Sequence, residues 1–310
     1  MDLPFVEEET LVSCVLVVDD EPTVRDVFTR LLSREQGLSV VTAEHAEAAL
    51  YYLRSQRFDL LITDKNLPGM GGIELIAEGR RLRPNIEAMM ITGYASAESV
   101  IAAFAAGASD YLLKPFEQIA VVRAKVRAAL DRRKERIKGS EEAHQMALEA
   151  SRLLAEGKTG TDPSWQKLEQ QLAKYDQSIG KGATGIVRVV GSPSAVAQLK
   201  AEGLDVSPAE MGDPRLDHAD VVVIDTGVKG WRELVERLGP MSPDVLLTAG
   251  VDHDVGDLLE AISLKLELVG TTVPGHLDAK VRALMMRRAV QSSKKALAAA
   301  LSEFRKALGK

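Results

Sequence analysis

Six residues of this 310-residue chain stand where short apolar runs end, and together their types could do chemistry. Asp19, Asp20 and Glu21 follow CVLVV (14–18), and Asp64 follows FDLLIT (58–63). Thr92 closes EAMMIT (87–92), and Lys114, itself followed by Pro115, comes after DYLL (110–113). Clustered carboxylates repel one another unless protons or a cation intervene. A hard divalent ion is the natural neutraliser, and Mg²⁺ suits one or two carboxylates together with water and a phosphate. The acidic pair argues against a phosphate loop, which would offer backbone amides and hydroxyls to the anion.

For these residues to meet, the runs must be neighbouring strands. With LSVVT (38–42) there are five, apolar nearly throughout, as strands buried on both faces are. Between them lie helical spacings. Val24, Val27, Phe28, Leu31 and Leu32 follow i, i+3, i+4, i+7, i+8, and Ala46, Ala49, Leu50 and Leu53 do the same. Ile73–Leu82 and Val100–Phe104 fit more loosely, and Gly37, Pro68-Gly69 and Gly107 supply stops. Alternating strands and helices read as a doubly wound parallel sheet, whose site lies at the carboxyl ends of the strands. Four separate strands thus deliver carboxylates, a hydroxyl and an ammonium to one edge.

The motifs VLVVDDE (15–21), LITDKNLPGMGG (61–72), MMITGY (89–94) and SDYLLKPF (109–116) resemble, in order, the receiver (CheY-like) domain of two-component response regulators. The resemblance covers about 13–135 and implies a flavodoxin-like five-stranded fold. It implies that Asp64 is the phosphoacceptor for a sensor histidine kinase. It further implies that Asp20, Asp64 and the backbone carbonyl of Asn66 ligate Mg²⁺, with Asp19 assisting through water. Thr92 and Lys114 are expected to contact the phosphoryl group, Tyr111 to be an aromatic switch, and Lys114-Pro115 to be cis. Asn66 and Tyr94 occupy positions thought to tune dephosphorylation.

Beyond Glu117 the strand signals stop, and a helical pattern runs to about Leu154. Between Arg123 and Lys138 it carries eight basic residues against Asp131 and Glu135. A loop (156–164) and a short helix, Trp165–Tyr175, follow. The α/β pattern restarts at 184–275, with strands at 185–190, 220–225 and 244–248 and helices near 194–202, 230–238 and 254–265. ADVVVID (219–225) aligns without gaps on FDLLITD (58–64), which puts Asp225 in the acceptor position and Thr248 in the hydroxyl position. Gly191-Ser192-Pro193 stands where the acidic pair should be, and Pro274, preceded by Val273, is the counterpart of Pro115 without the lysine. This reads as a pseudo-receiver. The last segment, 276–310, reads as one helix with nine basic residues. The expected organisation is a tail (1–12), a receiver (13–135), a helical connector (136–182), a pseudo-receiver-like domain (183–275) and a basic helix (276–310).

Composition narrows the function classes. Lys plus Arg is 39 against 45 for Asp plus Glu, a net charge of −6, which excludes a strongly basic nucleic-acid-coating protein. A single cysteine, Cys14, excludes a disulfide framework and a cysteine zinc cluster. No apolar run approaches the roughly 18 residues of a membrane span, and MDLPFVEEET lacks the layout of a signal peptide. Gly180, Gly182 and Gly185 spell a dinucleotide fingerprint but precede a strand rather than follow one, so they read as a linker. His144 lacks the neighbours of a phosphotransfer histidine, Trp165 and Trp231 read as packing residues, and there is no helix-turn-helix pattern. The expectation is a cytoplasmic, non-enzymatic response regulator that signals to a downstream protein target, with homodimerisation through the long helices plausible. The alternatives are a DNA-binding regulator acting through the basic helices and a phosphorelay intermediate passing the group to a histidine phosphotransfer protein.

Overall fold

The computed structural model describes residues 12–116, 118–156, 162–180, 185–239, 244–250, 253–264, 266–270 and 276–307. It divides into two compact units, Met1–Arg136 and Ile137–Lys310. The first alternates β1 (Ser13–Val18), α1 (Pro22–Leu32), β2 (Leu38–Ala43), α2 (Ala46–Ser55), β3 (Leu60–Asp64) and α3 (Gly72–Leu82). It continues with β4 (Glu87–Thr92), α4 (Ala97–Ala105), β5 (Asp110–Leu113) and the start of α5 (Ile119–Glu156). All five strands are parallel, in the order β2-β1-β3-β4-β5. This is the flavodoxin-like doubly wound sheet. Its order reverses between β1 and β3, so Asp19 and Asp64 flank the crevice where such sheets bind ligands.

Strand alternation builds the core. Val15, Val17, Leu60, Ile62, Met89 and Ile91 cluster with Val24, Phe28 and Leu32 of α1 and with Val122, Val126, Ala129 and Leu130 of α5. Each such side chain removed from water contributes roughly 1.5–3 kcal/mol. The helices start where local chemistry favours it. Pro22 opens α1 with its dihedral preset, and Ser96 and Ser99 form a reciprocal capping box at α4.

The second unit holds the rest of α5, then α6 (Pro163–Gly180), β6 (Ile186–Val190), α7 (Pro193–Ala201), β7 (Asp205–Ala209) and a 3₁₀ turn (Pro214–His218). It ends with β8 (Val221–Asp225), α8 (Trp231–Leu238), β9 (Asp244–Ala249), α9 (Val255–Ser263), β10 (Glu267–Gly270) and α10 (His276–Ala307). Its sheet runs β10-β9-β8-β6-β7, all parallel, which is the strand order of the first sheet counted from β6. A separate apolar cluster joins Ala143 and Ala150 of α5 to Leu168 and Tyr175 of α6 and to Leu297, Ala300, Leu301 and Phe304 of α10.

Several boundaries differ from the sequence reading. β3 begins at Leu60 and includes Asp64, and α6 is longer than Trp165–Tyr175. Strands β7 and β10 were not expected. Both are edge strands, and β7 carries Pro208, which an edge tolerates because one side of the strand needs no ladder donor. α5 passes without a break through 135–136, so the expected connector begins inside a helix.

Candidate functional site

At the carboxyl edge of the first sheet Asp19 is fully buried and Asp64 nearly so. Lys114 Nζ lies 2.9 Å from Asp19 Oδ2, 2.9 Å from Glu21 Oε1 and 2.9 Å from Asp64 Oδ1. The remaining carboxylate oxygens meet backbone donors: the Glu21 N–H donates to Asp19 Oδ1 at 2.9 Å, and the Asn66 N–H donates to Asp64 Oδ2. Arg25, one turn into α1, donates to the carbonyls of Asp19 (2.6 Å) and Asp20 (2.9 Å) and so braces the acidic turn. The Asp20 side chain is exposed.

Electrostatics follow from burial. Desolvation pushes the Asp19 carboxyl above the usual range, Asp64 adds to this, and Lys114 and the Glu21 N–H oppose it. Burial alone would lower the Lys114 pKa. Asp64, Glu21 and Asp19 outweigh it and hold the ammonium well above its ordinary range.

Thr92 is buried at the end of β4, its hydroxyl donating to the Tyr94 carbonyl (3.1 Å) and accepting from the Tyr94 N–H (3.2 Å). The Tyr111 ring is buried, with its hydroxyl 3.3 Å from Ser99 Oγ, and burial pushes its pKa up. Tyr94 is exposed, and Lys114-Pro115 is cis. The structure therefore brings Asp19, Asp64 and Lys114 together with Glu21, leaves Asp20 facing solvent, and ties Thr92 to its own loop. Gly72 has a role the sequence reading did not assign. A Cβ there would stand 1.9 Å from the Asp64 carbonyl oxygen, so only glycine lets α3 start this close to the end of β3. The two glycines before a helical pattern were the available signal.

The donor chemistry fits a hard divalent cation. Asp19 Oδ2 is buried, and the partner at ion-pair distance is the Lys114 ammonium at 2.9 Å. Two buried carboxylates beside one ammonium leave negative charge over, which an oxygen-ligated cation would neutralise. Among the described residues no three acidic or ligating side chains are drawn together at metal-binding distances, because Lys114 stands between the two buried carboxylates.

The second sheet presents a different edge. Val15 pairs with Leu60 and Val187 with Val221, so Gly191, Ser192 and Pro193 stand at the positions of Asp19, Asp20 and Glu21. Asp225 ends β8 as Asp64 ends β3, and it accepts from the Gly227 N–H at 2.9 Å as Asp64 does from Asn66. Its other partner is His253, whose Nε2 lies 3.0 Å from Asp225 Oδ1. His253 Nδ1 lies 2.8 Å from the Gly250 N–H and 3.1 Å from the Gly250 carbonyl oxygen, so one backbone residue holds the ring against Asp225. Gly191 has φ +81°, and a Cβ on it would stand 1.9 Å from Val228 Cγ2. Val228 thus fills the space that an aspartate side chain would need. One assignment changes. Asp64 pairs with Ile91 but Asp225 pairs with Thr248, so Ala249, not Thr248, stands at the position of Thr92. Strand register decides this, and sequence similarity alone misplaced it by one residue. Val273 and Pro274 lie outside the described residues, as does Gly182.

Five of the eight basic residues in the run of α5 pair with acids of the first unit, although Arg123, Arg127 and Arg136 stay exposed. Arg123 and Arg127 both pair with buried Glu35, Lys125 pairs with Asp110, Arg133 with Asp59 and Arg136 with Glu87. In the second unit Lys294 of α10 pairs with Glu142 at 2.9 Å and Arg305 pairs with Glu149. His144 is exposed on α5.

Comparison with known proteins agrees with this geometry. Residues 15–126 match the response regulator receiver domain family. The chain is 38% identical over 175 residues to the response regulator protein FleR of Pseudomonas aeruginosa, covering 55% of this chain and 34% of FleR. It is 37% identical over 111 residues to a 14.6 kDa protein of Leptolyngbya boryana, covering 35% of this chain and 84% of that one. A solved receiver domain from Methanospirillum hungatei is 31% identical, with 40% of this chain and 98% of that chain covered and a TM-score of 0.39. The chain thus spans about a third of the length of FleR, and the family match over 15–126 contains Asp19, Asp64, Thr92 and Lys114. With the family match over 15–126 and the Leptolyngbya relative covered to 84%, the chain belongs to the response regulator receiver family, its receiver lying within the first unit.

Proposed function

We propose that Asp64 accepts a phosphoryl group from the phosphohistidine of a sensor kinase and that the chain passes the signal on by protein contact. The observation that carries this is the buried pair Asp19 and Asp64 held on one lysine ammonium at 2.9 Å. An Asp64 carboxylate oxygen attacks phosphorus, the phosphorus–nitrogen bond breaks, and the imidazole leaves, giving an acyl phosphate. Lys114 pairs with the new phosphoryl oxygens, and the Thr92 hydroxyl turns from the Tyr94 carbonyl to donate to one of them. Catalysis of this kind is positioning and charge neutralisation. Mg²⁺, held by Asp19, Asp20, Asp64 and the Asn66 carbonyl, would supply the charge that lets two anions meet.

Five basic residues of α5 already spend their charge on acids of the chain itself, which lowers the net charge that the helix could offer to nucleic-acid phosphates. The apolar faces of α5, α6 and α10 are buried against one another, which leaves less for a homodimer to use. No described helix is long and apolar enough to cross a membrane, in keeping with a cytoplasmic protein. The second unit repeats the strand order without the acidic pair and acts as a pseudo-receiver, a docking module rather than a second acceptor.

The test is acetyl phosphate with Mg²⁺ on the full chain and on Asp64→Asn, read by intact mass. A Mg²⁺-dependent phosphoryl adduct on the wild type and none on the variant is expected. An adduct of equal yield on Asp64→Asn overturns the assignment.

A further inference from the structure

Strands β3 and β4 carry Asp64 and Thr92 at their carboxyl ends, and their amino ends are also charged. Asp59 stands just before β3, and Glu87, buried, opens β4. The Glu87 N–H donates to the Asp59 carbonyl at 3.0 Å, and the Cys14 N–H donates to Asp59 Oδ2 at 2.7 Å. Both acids are taken up by α5. Arg133 reaches Asp59 Oδ1 at 2.5 Å and the Asn85 carbonyl at 3.0 Å. Arg136 reaches Glu87 Oε1 at 2.5 Å and the same carbonyl at 3.1 Å. Arg136 is also the last residue of the first unit, while α5 continues to Glu156.

We propose that Arg133 and Arg136 form a latch through which the state of the Asp64 edge reaches α5 at the point where that helix leaves the receiver. The proposal rests on Asp64 being the acceptor. A strand is stiff along its length, and from Glu87 to Thr92 is only roughly 16 Å. β3 and β4 are locked in register from Leu60↔Glu87 to Asp64↔Ile91, and the Lys65 N–H adds a bond to the Ile91 carbonyl at 2.8 Å. A pull on Thr92 or Asp64 therefore moves the amino ends of the same two strands. Those ends carry the two acids that hold the last turn of α5 in the receiver. The basic run acts as an internal clasp. Two-state coupling of this kind must be demonstrated by removing the linking element, since spatial continuity alone does not establish it.

The experiment is hydrogen exchange on the full chain with and without Mg²⁺ and beryllofluoride. The wild type is expected to change at 92–96 and also at 131–140. In Asp59→Asn/Glu87→Gln/Arg133→Gln/Arg136→Gln both partners of each pair are gone, so no buried charge is orphaned. There the change at 92–96 persists and that at 131–140 falls several-fold. Arg133→Lys/Arg136→Lys keeps the charges and retains the response. Should the fourfold variant not fold, the two pairs are removed separately, as Asp59→Asn/Arg133→Gln and Glu87→Gln/Arg136→Gln; in each the response at 131–140 is expected to weaken while that at 92–96 stays. An undiminished response at 131–140 in the fourfold variant, or in both pairwise variants, overturns the latch. So does a wild type that responds at 92–96 alone. No response at either place, with no adduct on Asp64, sinks the acceptor reading and the latch with it.

Discussion

Asp19 carries a charge that the fold buries completely, and its carboxyl is pushed above its ordinary range by that burial. Folding thus raises the proton affinity of Asp19. That raised affinity adds stability below the ordinary carboxylate value of about 4, and the contribution is lost as pH rises through the raised folded value. At neutral pH the charge is a cost that a bound cation would offset. Asp19→Asn is therefore expected to stabilise the Mg²⁺-free protein at pH 7 by about 1–2 kcal/mol. The gain should shrink toward pH 4 and on adding Mg²⁺. Thermal melts across pH, with and without Mg²⁺, check this, and a variant less stable at pH 7 without Mg²⁺ would contradict it. The positions of Asp19, Asp64, Thr92 and Lys114 were legible in the sequence because each falls at the end of an apolar run. That Lys114 would lie between the two buried carboxylates, and that Asp20 would face water, was not, since side-chain direction at a turn depends on what packs above it.

Two glycines decide how closely elements approach the two sheet edges. A Cβ on Gly72 would meet the Asp64 backbone oxygen, which cannot move without bending β3. Gly72→Ala is expected to cost about 2–4 kcal/mol and to lower phosphoryl uptake on Asp64, both measurable on one preparation. At Gly191 the obstacle is the Val228 side chain, and the backbone is left-handed. Gly191→Ala is expected to cost a similar amount through strain and overlap, with uptake on Asp64 unchanged, and Val228→Ala in the same chain should return part of the loss. An undisturbed melting curve for either single variant would contradict the packing described. Element identity was largely legible because buried parallel strands and amphipathic helices have distinct apolar patterns. The strands β7 and β10 were not, because edge strands need neither a continuous apolar run nor a full set of donors.

Taken as a whole molecule, the described residues form two sheets of one strand order, and only the first has an acidic pair and a lysine at its carboxyl edge. Lys114 faces Asp64 in the receiver; His253 faces Asp225 in the second unit, where Val228 fills the room of the missing aspartate. Saturating acetyl phosphate with Mg²⁺ is therefore expected to add one phosphoryl group per chain, and Asp225→Asn should leave the yield unchanged. Intact mass decides this. A second adduct, or a first one lost in Asp225→Asn, would show that the second edge takes part.

By itself the sequence determined the doubly wound sheet of the first unit and the acidic edge with its lysine and threonine. Strand burial and strand ends leave direct marks in residue order. It also signalled a second α/β segment through one ungapped strand similarity. Only the tertiary structure decided strand register there, which moves the hydroxyl position from Thr248 to Ala249. Only it showed where the basic residues of α5 go. A charge run reads the same whether its partners are water, phosphate or acids far away in the chain. Glu35, Asp59, Glu87 and Asp110 are brought to that helix by the closing of the sheet, which no local pattern encodes.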